Sequence, residues 1–152
     1  MKLGYTIFYT PDVAASLTFF EADFGLQRRF LHEGGDYGEL QTGATTLAFA
    51  AHSLGAAHFP GGYVKAHESA LPLGMEVALV TPDVPSAHAQ AIAAGASEMK
   101  APETMPWGQT VSWLRCPDGC LVELCTPMGW PSQPMHLSLK AFKYERMQLL
   151  YE

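Results

Sequence analysis

The apolar positions at the start of the chain change their period within a few residues. Tyr5-Thr6-Ile7-Phe8-Tyr9 mixes β-branched and aromatic residues as a strand does. From Val13 the spacing turns helical, with Val13, Leu17, Phe20 and Phe24 on one stripe. Pro11 ends the strand, Asp12 is placed to cap the free amides of the helix, and Gly25 supplies a left-handed stop. Three shorter stretches follow, 27–33, 37–42 and 45–52, punctuated by Gly34-Gly35-Asp36 and Gly43. In the last, alternation sets Leu47, Phe49 and Ala51 on one face and Ala48, Ala50 and His52 on the other. The pattern predicts strand-helix-strand-strand-strand over residues 3–52.

The same order then returns. Thr10-Pro11-Asp12-Val13 recurs as Thr81-Pro82-Asp83-Val84, preceded by the strand-like Glu76-Val77-Ala78-Leu79-Val80. Asp83 or Ser86 starts a second helix, with Val84, Ala87, Ala91 and Ala94 on its stripe and Gly95 as its stop. His88 within it reads as a solvated or internally satisfied residue. A polar connection, Pro102-Glu103-Thr104-Met105-Pro106, leads to Trp107-Gly108, and 109–116 and 120–126 form a hairpin about Pro117-Asp118-Gly119. Two modules, 3–52 and 75–128, therefore repeat one plan, and the chain is an internal duplication. The fold class is α+β.

Two segments fall outside the repeat. Residues 53–74 carry four glycines, Gly55, Gly61, Gly62 and Gly74, with His58, His67, Phe59 and Tyr63 among them. A connection this long with no evident structure is a linker, or a linker that doubles as a flap. After Pro127, residues 129–152 read as an extension, with an amphipathic helix through Leu139, Phe142, Met147 and Leu150 that has no counterpart in the first module. It is an accessory lid or docking helix, or a segment peculiar to this chain.

Composition narrows the partners. With 152 residues, 48% of them hydrophobic, the chain can bury a sizeable core. A formal net charge of −6 argues against a nucleic-acid or anionic-membrane surface. No basic-apolar leader precedes Tyr5 and no apolar run is long enough to cross a bilayer, so the expected location is cytoplasmic. Cys116, Cys120 and Cys125 lack the spacing of a disulfide framework or a zinc site, and read as small buried strand residues rather than a redox pair or soft-metal site.

The doubled strand-helix-three-strand module, with Trp107-Gly108, Pro117-Asp118-Gly119 and Leu121-Val122-Glu123-Leu124, resembles the vicinal oxygen chelate superfamily over about residues 3–128. That group includes glyoxalase I, extradiol dioxygenases, fosfomycin-inactivating enzymes and bleomycin-binding resistance proteins. The resemblance implies tandem βαβββ modules whose strands form a curved mixed sheet around a cleft, with helices on the outer face, often within a homodimer. The common family hairpin carries Asp before Pro-Asp-Gly and Asn after it, where this chain has Cys116 and Cys120.

The resemblance also implies where a divalent metal such as zinc, nickel or iron would sit, since family ligands come from the first and last strands of each module. The duplication carries those seats to Tyr5, Ala48, Glu76 and Glu123. Ala48 has no donor atom, and a phenol is a poor ligand unless ionised. Two carboxylates are a thin shell for these ions. A shifted set of His52, Glu76 and Glu123 is the alternative. Otherwise two inward glutamates repel unless a cation or hydrogen bond lies near, and they serve as an acid/base pair, an anchor for a cationic group or a structural pair.

Tyr9, Tyr37, Phe59, Tyr63, Trp107 and Trp113 are candidate wall residues around them, Trp107 foremost because it precedes a strand in a loop. Aromatic walls with carboxylates suit planar or cationic ligands. The expectation is thus a metal-free, drug-sequestering type of binding protein, with Tyr5, Ala48, His52, Tyr63, Trp107 and Trp113 about the ligand. The alternative is a glyoxalase-like lyase or isomerase that uses Glu76 or Glu123 as base or metal ligand.

Overall fold

The computed structural model describes residues 1–128; the expected C-terminal helix over 136–152 lies outside them. Two four-stranded mixed sheets carry the chain. In the first, β1 (Tyr5–Thr10), β2 (Gln27–Leu31), β3 (Tyr37–Gln41) and β4 (Thr46–Ala51) lie in the order β1-β4-β3-β2. In the second, β5 (Glu76–Val80), β6 (Ser97–Thr104), β7 (Thr110–Arg115) and β8 (Leu121–Cys125) repeat that order as β5-β8-β7-β6. Each module has one parallel pair, β1 with β4 and β5 with β8, and its other neighbours are antiparallel. The duplication in sequence is a duplication in topology.

Local chemistry fixes the helices. In α1 (Val13–Phe24) the Asp12 carboxylate accepts the Ala15 amide at 2.9 Å, and Gly25 closes the helix at φ 66°. In α3 (Val84–Ala93) Asp83 accepts the Ser86 amide at 3.0 Å in the same way. The buried stripe of α1, Val13, Leu17 and Phe20, meets Phe8, Leu40, Leu47 and Phe49 from the first sheet. Val84 and Ala91 of α3 meet Leu114, Val122 and Leu124 of the second. Ala94, expected on that stripe, lies outside it, because the helix ends at Ala93.

Three sequence expectations are corrected. Residues 53–74 are not structureless: α2 (His52–His58) begins them, with no side-chain cap. The strand expected through His52 ends at Ala51, so His52 opens a helix instead of continuing the face of Ala48 and Ala50. Pro102 to Thr104 belong to an eight-residue strand, β6, at the outer edge of its sheet. An edge strand tolerates Pro102 because one side of it pairs with nothing.

His88 is buried, with Nε2 on Glu98 at 2.9 Å; it is packed against the second sheet, not solvated. All three cysteines are buried and free. Burial, with Asp118 nearby, pushes the Cys116 and Cys120 thiols far up, so they remain protonated.

The modules are tied by a buried polar relay. Thr10 Oγ1 and Ser16 Oγ lie 2.8 Å apart, and Ser16 Oγ donates to Asp118 Oδ2 at 2.9 Å. Asp118 Oδ1 accepts the Cys120 amide at 3.0 Å, which fixes the β7–β8 turn. Gln90 of α3 reaches back to the Ala22 carbonyl of α1 at 2.9 Å. No helix among the described residues is long and apolar enough to cross a membrane.

Candidate functional site

Because Phe8, Leu47, Phe49, Leu40, Val122, Leu124 and Leu114 turn toward the helices, the alternate residues of the same strands must face the other way. That helix-free face carries Tyr5, Ile7 and Tyr9 from β1, Ala48 and Ala50 from β4, and Tyr37 and Glu39 from β3. In the second module it carries Glu76, Ala78 and Val80, then Glu123, then Trp113 and Arg115. Tyr5, Ala48, Glu76 and Glu123, the four seats that the resemblance implies, are among the residues of this face.

Their surroundings differ. Glu76 is exposed, and its Oε2 accepts the indole N–H of Trp113 at 2.9 Å. Glu123 is only 5% exposed; Trp113 lies opposite it on β7 and Ala78 on β5. Trp113 thus lies beside one acid and reaches over β8 to bond the other. Lys100 stands 5.6 Å from the centre of its ring and pairs with Glu103 at 2.7 Å. The indole already has a cation near its face.

In the first module Ala48 is fully buried opposite a carboxylate the sequence reading missed, Glu39, which is 7% exposed. Tyr37 donates to Glu39 Oε1 at 3.1 Å and Arg29 lies 3.6 Å from Oε2. Burial, the bond to Glu39 and the nearby Glu39 charge push the Tyr37 phenol up to about 12. The duplication held a usable signal. Glu39 lies opposite Ala48 as Trp113 lies opposite Glu123, so counting along the third strand of each module finds it.

His52, Tyr63 and Trp107 occupy other places. His52 Nδ1 lies 2.7 Å from the Tyr63 hydroxyl and its Nε2 lies 3.2 Å from His67 Nδ1. Tyr63 packs on Tyr9 at 5.1 Å, and Phe59 packs on both, so the 53–74 segment covers the end of β1 on the helix-free face. Its further half lies on the second module: Arg115 donates to the Ala66 and Ser69 carbonyls at 2.5 and 2.6 Å. Trp107 is in the β6–β7 turn, where its indole N–H donates to Gln109 Oε1 at 2.9 Å. It supports that turn, at the edge of the sheet farthest from β5.

The donor set does not suit the metal that the resemblance implies. Ala48 offers no ligand atom, and the Glu76 carboxylate holds the Trp113 indole. The shifted set of His52, Glu76 and Glu123 is not assembled: among the described residues no group of three or more His, Cys, Asp or Glu side chains converges on one point. Both ring nitrogens of His52 are engaged by Tyr63 and His67. Catalysis through a metal at these seats has no basis in these residues.

A cleft of about 310 Å³ lies along the seam between β1 and β5, lined by Thr6, Leu26, Leu47, Val77 and Leu79 among others. No titratable group lines it. The chemistry of the fold is on the helix-free face.

The Glyoxalase/Bleomycin resistance protein/Dioxygenase superfamily model matches residues 2–124. Among solved structures, a glyoxalase-related enzyme from Fulvimarina pelagi is similar at 20% identity with a TM-score of 0.72, over 88% of this chain and 94% of that one. A glyoxalase/bleomycin resistance protein/dioxygenase family enzyme from Burkholderia phytofirmans PsJN gives 21% identity and a TM-score of 0.68, over 83% and 98%. TioX from Micromonospora sp. ML1 gives 16% identity and a TM-score of 0.59, over 83% and 98%. A comparison with curated proteins gives no match. A matching model over most of the chain, joined to a repeated βαβββ topology, places the chain in the Glyoxalase/Bleomycin resistance protein/Dioxygenase superfamily.

Proposed function

We propose that this chain binds a planar, hydrophobic or cationic small molecule on the helix-free face, without a metal, in the manner of a drug-sequestering protein. The observation that carries this reading is Ala48: a fully buried methyl group stands where the fold would seat a ligand atom. What the face offers instead is stacking surface and negative charge. Trp113 is a platform oriented by Glu76, Glu123 is a buried carboxylate beside it, Glu39 is a second buried carboxylate on the first sheet, and Tyr5 and Ile7 remain open on β1, 54% and 43% exposed. An indole face contributes roughly 0.5–2 kcal/mol to holding a cation. Tyr63 and Tyr9 close one end, with His52 fixing Tyr63; Trp107, whose indole N–H is on Gln109 in the β6–β7 turn, is not part of the proposed site. A homodimer belongs to the same proposal.

The test is titration of purified protein with a planar cationic dye, followed by tryptophan fluorescence, alongside metal analysis and sedimentation. Saturable quenching that weakens about tenfold or more in Trp113→Ala and Glu123→Gln supports the reading. Stoichiometric zinc, nickel or iron in protein purified without added metal counts heavily against it.

A second reading follows from the burial of Glu123. A desolvated carboxylate on an aromatic floor suits a base that moves a proton beside a carbonyl, as in a glyoxalase-like lyase or isomerase. Turnover of methylglyoxal hemithioacetal, lost in Glu123→Gln, would support it. No turnover with or without added divalent ions removes it.

A further inference from the structure

The segment that covers the end of the helix-free face is held by a chain of hydrogen-bonding side chains that runs on past Tyr63 and His52 to His67 and Glu68, which the binding reading does not use. Tyr63 Oη, His52 Nδ1, His52 Nε2 and His67 Nδ1 follow one another at 2.7 and 3.2 Å, and His67 Nε2 lies 3.5 Å from Glu68 Oε1. One donor order serves every contact. The Tyr63 hydroxyl donates to His52 Nδ1, His52 Nε2–H donates to His67 Nδ1, and His67 Nε2–H points at the Glu68 carboxylate. In this order both imidazoles are neutral.

We infer that the His52–His67 contact is a pH-operated latch that holds the 59–69 segment over the helix-free face and releases it when both rings are protonated. A contact between two ring nitrogens needs one N–H and one bare nitrogen. With no added proton it stands as described; with one, the charged ring donates to the neutral one. With two, N–H faces N–H at 3.2 Å between like charges, and the contact cannot persist.

The groups facing the pair do not offset a second charge. Lys65 lies on the same segment, and Arg115 of β7 holds the Ala66 and Ser69 carbonyls beside His67. Among the described residues Glu68 is the acid beside the pair, and Lys65 already pairs with it at 3.1 Å. Tyr63 and Tyr9 are neutral neighbours at these pH values. Burial, then the neighbouring His67 and Lys65, hold His52 below the ordinary histidine value.

The sign follows from that depression. The closed form resists protons that the open form accepts, so closure is complete above about pH 6.5 and is lost as pH falls below it. The open state takes up two protons where the closed state tolerates one, so opening grows by up to about tenfold for each pH unit below that point.

The remainder of the segment rests on the second module. Arg115 bonds its carbonyls and Gly119 leaves room for its backbone, but its tie to the first module is the Tyr63–His52–His67 chain and the ring packing on Tyr9.

Amide hydrogen exchange of the full chain at about pH 5 and about pH 8, corrected for intrinsic rates, tests this without any ligand. Protection of residues 59–69 should fall about tenfold or more at the lower pH, while α1 stays unchanged. In His67→Gln, which keeps a hydrogen-bonding group and cannot charge, the segment should lose most of that pH dependence, the remainder coming from the burial of His52. His52→Asn should do the same. Equal protection at both pH values in the unmodified protein, or an undiminished fall in His67→Gln, overturns the latch. Neither result bears on whether the face binds a small molecule.

Discussion

The indole nitrogen of Trp113 donates to the carboxylate of Glu76 across the intervening strand β8, at 2.9 Å. The two residues come from different ends of the second module, and the bond fixes which edge of the ring faces β5. Trp113→Phe keeps a ring and deletes the donor. Glu76 is exposed and can turn to water, so stability should change by less than about 1 kcal/mol. Dye affinity should fall several-fold because the platform is no longer held in place. The two effects separate in a paired denaturation and binding measurement. An unchanged affinity would show that the orientation of Trp113 is irrelevant to the ligand.

Gly119 carries a second prediction. Its φ is 89°, and a Cβ there would run into the backbone of Ala66 and His67. Side chains on L residues disfavour that φ, and a collision with backbone cannot be relieved by a rotamer change. Gly119→Ala should therefore cost about 1–3 kcal/mol or expel the 65–69 segment from the second module. Chemical denaturation reads the first outcome and hydrogen exchange of 65–69 the second. A fully stable variant with a protected segment would contradict the close approach.

Asp118 carries a third. Its two oxygens hold Ser16 of α1 and the Cys120 amide, and all three residues are buried. Asp118→Ala strands both donors away from water, with a loss of about 2–4 kcal/mol expected from two charge-assisted bonds. Asp118→Asn keeps an acceptor and should lose less. If both variants lose the same amount, the carboxylate charge is what matters and not its position between the modules.

The parts of this fold that were legible in sequence were local. Asp12 and Asp83 cap their helices, and Gly25 and Gly95 adopt positive φ, because capping chemistry depends on neighbours a few residues away. The repeat of those signals carried the seats that the resemblance implies to Tyr5, Ala48, Glu76 and Glu123, at equivalent places in the two modules. The losses came where partners are distant in sequence. α2 has no cap and contains Gly55, whose missing side chain makes room for Tyr63, so its helix is decided by packing. His52 was assigned by alternation to the strand face, but Tyr63 and His67 draw it into a contact no alternation predicts. Glu39 escaped notice because its neighbours Leu40 and Gly38 read as ordinary strand residues. Its meaning depends on Ala48 across the ladder.

A last prediction concerns Tyr37. Its phenol is pushed up to about 12 by burial first, then by the hydrogen bond it donates to Glu39 and the charge on that carboxylate. A group whose proton is held more tightly in the folded chain contributes stability that is complete below its ordinary value near 10. That contribution drains away as pH rises from there through about 12, because the unfolded chain has already given up the proton. Tyrosinate absorbance of the folded protein should thus show one step displaced well above the others, and Tyr37→Phe should remove it. The same variant should flatten the fall in stability between those pH values, leaving a smaller slope from Tyr63, whose phenol burial also raises. The cost at neutral pH should be modest, about 0.5–1.5 kcal/mol, because Arg29 remains beside Glu39 after the phenol hydroxyl is gone. If the displaced step survives in Tyr37→Phe, it belongs to another tyrosine and Tyr37 is not the phenol held up.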